Sequence, residues 1–272
     1  MSQDNLFNYN HFKFVRLAIF LVLACVLAYL VYTPEIVSYG GTWLGYGLGT
    51  LGALLIVWLM WLGVRKRQYA KNSGNLRGWV SAHVYLGMAL AFVATLHTGF
   101  QIGWNVHTLA YVLMILVILS GMWGLSLYVR MPQLMSNTLN RKSPGAIVEE
   151  IESLDKEALK LVKTFQSESL VHLIKRSMSQ GIFNASRQRK FGLVRNCETS
   201  KACDVIQKKM HENGNLIGLY ENQIKRLKSL KQLRLYYCQK YWLEVWLLFH
   251  VPLSFALLAA LIAHVVSVFY YW

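Results

Sequence analysis

Hydrophobic residues along this chain gather in long blocks and do not alternate at every second position. Five blocks, 14–32, 43–64, 79–100, 109–129 and 242–268, reach the roughly 20 apolar residues that a helix needs to cross a bilayer. In lipid, backbone N–H and C=O groups must find partners within the segment, so runs of this kind are predicted as helices. The expected fold class is an all-α integral membrane protein with five transmembrane helices. The first block is expected to remain as a span: it lacks a small-residue cleavage site and further spans follow it.

Residues 131–240 break this pattern. They are polar, and they are predicted to form a helical insert between transmembrane helices four and five. In "SPGAIVEEIESLDKEALKLVKTF", Ser143 is placed as the N-cap and Pro144 in the first turn, while Ile147, Ile151, Leu154 and Leu161 recur at helical spacing. Residues 181–204, rich in Gly, Asn, Ser and Arg, read as loop. Residues 216–240 read as a second helix that runs straight into the fifth span. Its predicted apolar face is Ile217, Tyr220, Ile224, Leu227 and Leu230, with lysines opposite. The expected organisation is therefore membrane helices one to four over 1–130, the insert over 131–240, and the fifth membrane helix over 241–272.

Composition agrees with a membrane chain: 55% of the 272 residues are hydrophobic. The net charge of +15 raises the question of nucleic acid, but its placement points to topology. Of 28 Lys and Arg residues, Lys13 and Arg16 open the first span, and Arg65, Lys66, Arg67, Lys71 and Arg77 lie between spans two and three. The other 21 fall between Arg130 and Lys240. The loops 33–42 and 100–108 and the C-terminal tail carry none. Basic residues favour the cytoplasmic side. The N-terminus and insert are therefore expected in the cytoplasm and the C-terminus outside, in a bacterial inner membrane. Lipid, and no nucleic acid, is the expected contact of the excess charge. Trp43, Trp79, Trp104, Trp242 and the terminal Tyr270-Tyr271-Trp272 serve as interfacial anchors at span ends. The four cysteines show no C-x-x-C-H, so covalently attached haem is not expected, and the thiols are read as reduced.

The chemistry is concentrated in two stretches, "HVYLGMALAFVATLH" from His83 to His97 and "HVPLSFALLAALIAH" from His250 to His264. Each has histidines fourteen residues apart in a span. Fourteen residues rise about 21 Å, and fourteen steps of about 100° return within about 40° of the start. Both histidines of each pair therefore share one face. Counting spans from a cytoplasmic N-terminus makes the two helices parallel, with His83 and His250 toward the cytoplasm and His97 and His264 toward the outside. A histidine at membrane depth is costly and points to function; neutral imidazole is the usual transition-metal ligand and an axial ligand of haem iron. Gly87, Ala91, Ala94 and Ser254 leave room near this face for a flat macrocycle, and Pro252 is expected to bend span five. The plainer reading, interhelical hydrogen bonds or a proton path, explains one such histidine more readily than two pairs at one spacing.

The paired H-x13-H pattern resembles the di-haem cytochrome b of quinol–cytochrome c reductases, and the ligand layout is similar to that of the ferric-reductase and NADPH-oxidase membrane domain. The resemblance implies two b-type haems: an inner one whose iron is held by His83 and His250, and an outer one held by His97 and His264. The Pro-Glu-Trp-Tyr quinol motif of the reductases is absent; "TPEIVSYG" offers only Pro34-Glu35. Five spans are fewer than the reductase cytochrome has, the insert matches neither family, and the flavin and NADPH domain of the oxidases is not expected here.

Three further residues are candidates. His107, near Gln101, Trp104 and Asn105, could face haem propionates or a quinone. Arg77 could pair with the inner propionates, and Glu35 could take protons from a quinol. His11, His172 and His211 lie in polar segments and read as solvated. The expected function is that of a di-haem cytochrome b subunit of an oxidoreductase complex. It would carry electrons across the bilayer between a quinone pool or a cytoplasmic donor and a redox partner protein, in the manner of a respiratory chain. The competing readings are a haem-binding membrane sensor or assembly scaffold, and a metal-ion transporter.

Overall fold

The computed structural model describes residues 9–32, 40–67, 76–165, 167–182, 197–210 and 214–270. Eight α-helices occur among them: α1 Tyr9–Val31, α2 Trp43–Arg67, α3 Leu76–Thr98, α4 Val106–Thr138, α5 Pro144–Thr164, α6 Glu168–Ser179, α7 Glu198–Met210 and α8 Ile217–Tyr270. A 3-10 turn at Gly214–Leu216 precedes α8, and no strand occurs among the described residues. Five of the helices, α1 to α4 and α8, are long and apolar enough to cross a membrane. The chain divides into two compact units. One comprises Met1–Leu125 with Trp246–Trp272, and the other Ser126–Val245.

In the first unit, Ile56 and Leu59 of α2, Leu86 and Leu90 of α3, Met114 of α4 and Leu257 of α8 share one buried apolar cluster. A second cluster joins Cys25 of α1, Leu48 of α2 and Val93 of α3. The apolar side chains turned outward are large, among them Phe20, Leu54, Phe92, Leu248 and Phe255. Exposed apolar surface on this scale marks an interaction with lipid or protein, and here it lies on helices of membrane-spanning length. The start of α1 departs from a regular helix: Asn10, His11 and Phe12 have φ of 47°, 55° and 61°. His11 is exposed there, as its polar surroundings predict. Pro252 lies inside α8, which continues as one helix to Tyr270.

The second unit is helical and has its own core. Ser143 caps α5 as expected, its Oγ accepting from Ala146 N at 3.1 Å, and Pro144 takes the first turn. The buried stripe of α5 is Ile147, Ile151, Leu154, Ala158 and Val162; Leu161 is only partly buried. Glu168–Ser179 adds a helix that hydrophobic spacing alone did not mark. The stretch read as loop over 181–204 becomes helical from Glu198, because Ala202, Cys203 and Ile206 bury on one side of α7.

The predicted apolar face of the helix after residue 216 is buried only in part: Leu230 is buried and Tyr220 packs against the core. Ile217 and Ile224 are exposed, while Leu216, Leu219, Asn222, Gln223, Arg226, Ser229, Leu230, Leu233 and Arg234 are buried. Those positions still recur every three or four residues, but five of the nine are polar. They bury because they are satisfied: Arg226 pairs through Nε with Asp155 and donates through Nη1 to Thr199 Oγ1. Asn222 Nδ2 donates to Leu154 O at 3.1 Å, and Ser177 Oγ donates to Gln223 Oε1 at 3.1 Å. A buried polar group without such partners costs about 1–3 kcal/mol. The helix then runs without interruption from Ile217 to Tyr270, as the sequence predicts.

Candidate functional site

All four paired histidines belong to the first unit, and a fifth joins them. Their shared property is a hydrogen bond at Nδ1. His83 Nδ1 lies 3.1 Å from Leu59 O and His97 Nδ1 lies 2.8 Å from Gly45 O. A carbonyl oxygen only accepts, so both Nδ1 atoms carry the proton. His250 Nδ1 lies 2.8 Å from Ser120 Oγ. That hydroxyl gives its own proton to Val117 O at 2.8 Å, so its lone pair receives the Nδ1–H of His250. His264 Nδ1 lies 2.5 Å from Nδ1 of His107, and one of these two nitrogens donates to the other. In a neutral imidazole with Nδ1 protonated, Nε2 keeps its lone pair. Metal-bound histidines are held in this way, by a carbonyl or another acceptor behind the ring.

The rings of His97 and His264 also approach one another. The ring centres of His97 and His264 are 6.0 Å apart, with their planes at 89°. An imidazole bound through one nitrogen at about 2 Å has its ring centre about 3 Å from a metal, so two rings on opposite sides stand about 6 Å apart. His107 is the closer neighbour of His264, 4.5 Å between ring centres.

Small residues shape both ends. Gly45 and Gly49 lie one turn apart on α2 against the ring of His97. A Cβ at Gly49 would come within 2.7 Å of His97 Cε1 and 3.0 Å of its Nδ1, closer than non-bonded carbon atoms approach. At the other end, a Cβ at Gly124 would overlap the indole of Trp246, and one at Gly121 would lie 3.5 Å from His250 Cε1. Trp246 donates Nε1–H to Ser120 O at 2.9 Å, and its ring lies 5.5 Å from that of His250. Ser254 Oγ turns back to His250 O at 2.7 Å. Gly87 lies beside Leu59, whose carbonyl holds His83; a Cβ there would be 4.0 Å from a Leu59 methyl.

Arg77 is exposed at the start of α3. Glu35, Lys71, His211, Tyr271 and Trp272 lie outside the described residues, and His172 is exposed. Sequence reasoning missed Gly45, Gly49, Leu59, Ser120 and Gly121. The signal available was glycine spacing: "LGYGLGTLG" puts Gly45 and Gly49 four apart on a span, and small residues at that interval let membrane helices approach closely. The Leu59 carbonyl carries no side-chain signal at all.

No protein-family model matches the chain, and no curated protein or solved structure matches it.

Proposed function

We propose that this protein is a membrane di-haem cytochrome b subunit that carries electrons across the bilayer, with His83 and His250 holding an inner haem and His97 and His264 an outer one. The observation that supports this most is the Nδ1 hydrogen bond of all four histidines, which leaves the Nε2 lone pair free on His83, His97 and His250, and on His264 when it donates to His107, at two levels about 21 Å apart along α3. A haem iron with two imidazoles is six-coordinate and transfers electrons without binding substrate. The remaining roles belong to the chain. Leu59 O, Gly45 O, Ser120 Oγ and His107 orient the four rings and select the tautomer. In the pair with His107, His264 donates its Nδ1–H and keeps Nε2 free, and His107 carries its own proton on Nε2. The surrounding apolar side chains keep the site in a low-dielectric setting.

The Lys and Arg placement supports a cytoplasmic N-terminus and insert, an outer C-terminus and an inner-membrane location of bacterial type. A reporter fused after Trp272 should be active outside the cytoplasm and one inserted near Asn196 inside it; the reverse pattern overturns this topology. The donor would be a quinol or a cytoplasmic reductant, and the acceptor a redox partner protein on the opposite face. Arg77 is assigned to the inner propionates on the strength of its position six residues before His83.

The protein purified in detergent should carry two haems per chain and give a low-spin b-type optical spectrum. A chain that binds no haem when expressed with haem in excess would overturn the proposal. Two bound haems that no quinol or reductant can reduce would favour the sensor or scaffold reading.

A further inference from the structure

The polar unit holds a thiol that the haem reading does not use. Cys197 immediately precedes the thirteen-residue helix Glu198–Met210, and its carbonyl accepts the first turn's bond from Lys201 N at 3.0 Å. It thus occupies the N-cap, where unpaired N–H groups and the helix dipole favour negative charge. Arg234 reaches it from α8. Its Nη1 donates to Cys197 Sγ at 3.3 Å and its Nε to Ile182 O at 2.8 Å. Its Nη2 is buried and has no hydrogen-bond partner among the described residues; Arg234 as a whole is only 3% exposed. A buried guanidinium nitrogen without an acceptor is costly, and this one belongs to the guanidinium that already holds the sulfur.

The three thiols of the polar unit differ in their surroundings. Burial pushes the Cys197 thiol up. The hydrogen bond and charge of Arg234 and the backbone N–H groups of Ser200 and Thr199 outweigh it, holding the thiol below its ordinary value. Cys203 goes the other way, to about 11, through burial and the charges of Asp204 and Cys197. Burial also raises Cys238.

We infer that Cys197 is a peroxide-reactive thiol whose oxidised form is completed by Arg234. The thiolate attacks one oxygen of a hydroperoxide. An S–O bond forms, the O–O bond breaks, and the leaving hydroxide departs with that bond's electron pair and takes the proton of the new S–OH group, leaving a sulfenate and water. The sulfur gives up two electrons, and hydrogen peroxide is reduced to water. The new sulfenate oxygen is an acceptor of the kind Arg234 Nη2 lacks. Cys197 is only 7% exposed, so the site suits hydrogen peroxide and excludes bulky disulfides. Cys203 does not resolve the product: six residues along one helix separate the two Cα atoms by about 9 Å, beyond the roughly 7 Å limit of a disulfide.

The test treats the full-length protein in detergent with hydrogen peroxide and a sulfenic-acid trap and follows each cysteine peptide by mass spectrometry. Cys197 should gain one oxygen about tenfold faster than Cys203 or Cys238. Arg234→Gln should remove that advantage and Arg234→Lys should restore part of it, with helix content by circular dichroism unchanged. Should Arg234→Gln fail to fold, the comparison among the wild-type thiols decides alone. Equal rates at Cys197 and Cys203, an unchanged rate in a folded Arg234→Gln, or a Cys197–Cys203 disulfide would each overturn the inference. None of these outcomes depends on haem, so failure here leaves the cytochrome reading standing.

Discussion

Replacing His83 or His250 with alanine should remove one haem of the two, and the same one in either case; replacing His97 or His264 should remove the other. The expectation rests on pairing. The rings of His97 and His264 stand 6.0 Å apart, and the same fourteen-residue spacing on both helices puts His83 and His250 at one other level. Each haem would need both of its imidazoles, because an alanine variant would offer the iron only one protein ligand. Haem content should fall from two to one per chain, and redox titration of the survivor should give a single component. That component should be identical for His83→Ala and His250→Ala. Loss paired instead as His83 with His264 would contradict the arrangement of α3 and α8.

The second large effect should come from a residue that ligates nothing. Gly49→Ala should abolish outer-haem binding, because the added Cβ lies 2.7 Å from His97 Cε1. The ring must then swing away from the Gly45 carbonyl that holds it. Losing a group that orients a metal-binding histidine costs about 10–100-fold in affinity, and here the ring itself is also displaced. Gly47→Ala is the control, since a Cβ there meets nothing within 4 Å; it should keep both haems. The inner haem should survive in both variants, because Leu59 O and Ser120 Oγ hold its histidines. If Gly49→Ala keeps two haems with unchanged spectra, Gly49 does not position His97.

The five long helices and the histidine pairs were legible in the sequence for one reason. A membrane span requires an unbroken apolar run, and a histidine inside one stands out against it. The supports behind the rings were not legible. Leu59 and Gly45 act through backbone carbonyls, which any residue supplies, and only the packing of α2 on α3 selects them. His107 was singled out, but for contact with propionates or a quinone; its role as the partner of His264 needed the meeting of α4 and α8. In the polar unit the stripe rule failed on the helix from Ile217. The apolar stripe left out Arg226, Asn222 and Gln223, yet they bury because Asp155 and Glu157 of α5, Ser177 of α6 and Thr199 of α7 satisfy them. Periodicity registers which residues are apolar, not which polar residues find partners.

Electron passage across a sealed bilayer tests the central claim most directly. Vesicles reconstituted with the haem-loaded protein and filled with ferricyanide are exposed to a membrane-impermeant reductant outside. The trapped ferricyanide should be reduced at a rate proportional to the protein incorporated, and His97→Ala should lose that rate while its inner haem remains. Intact vesicles whose protein carries both haems but whose trapped acceptor stays oxidised would contradict the account.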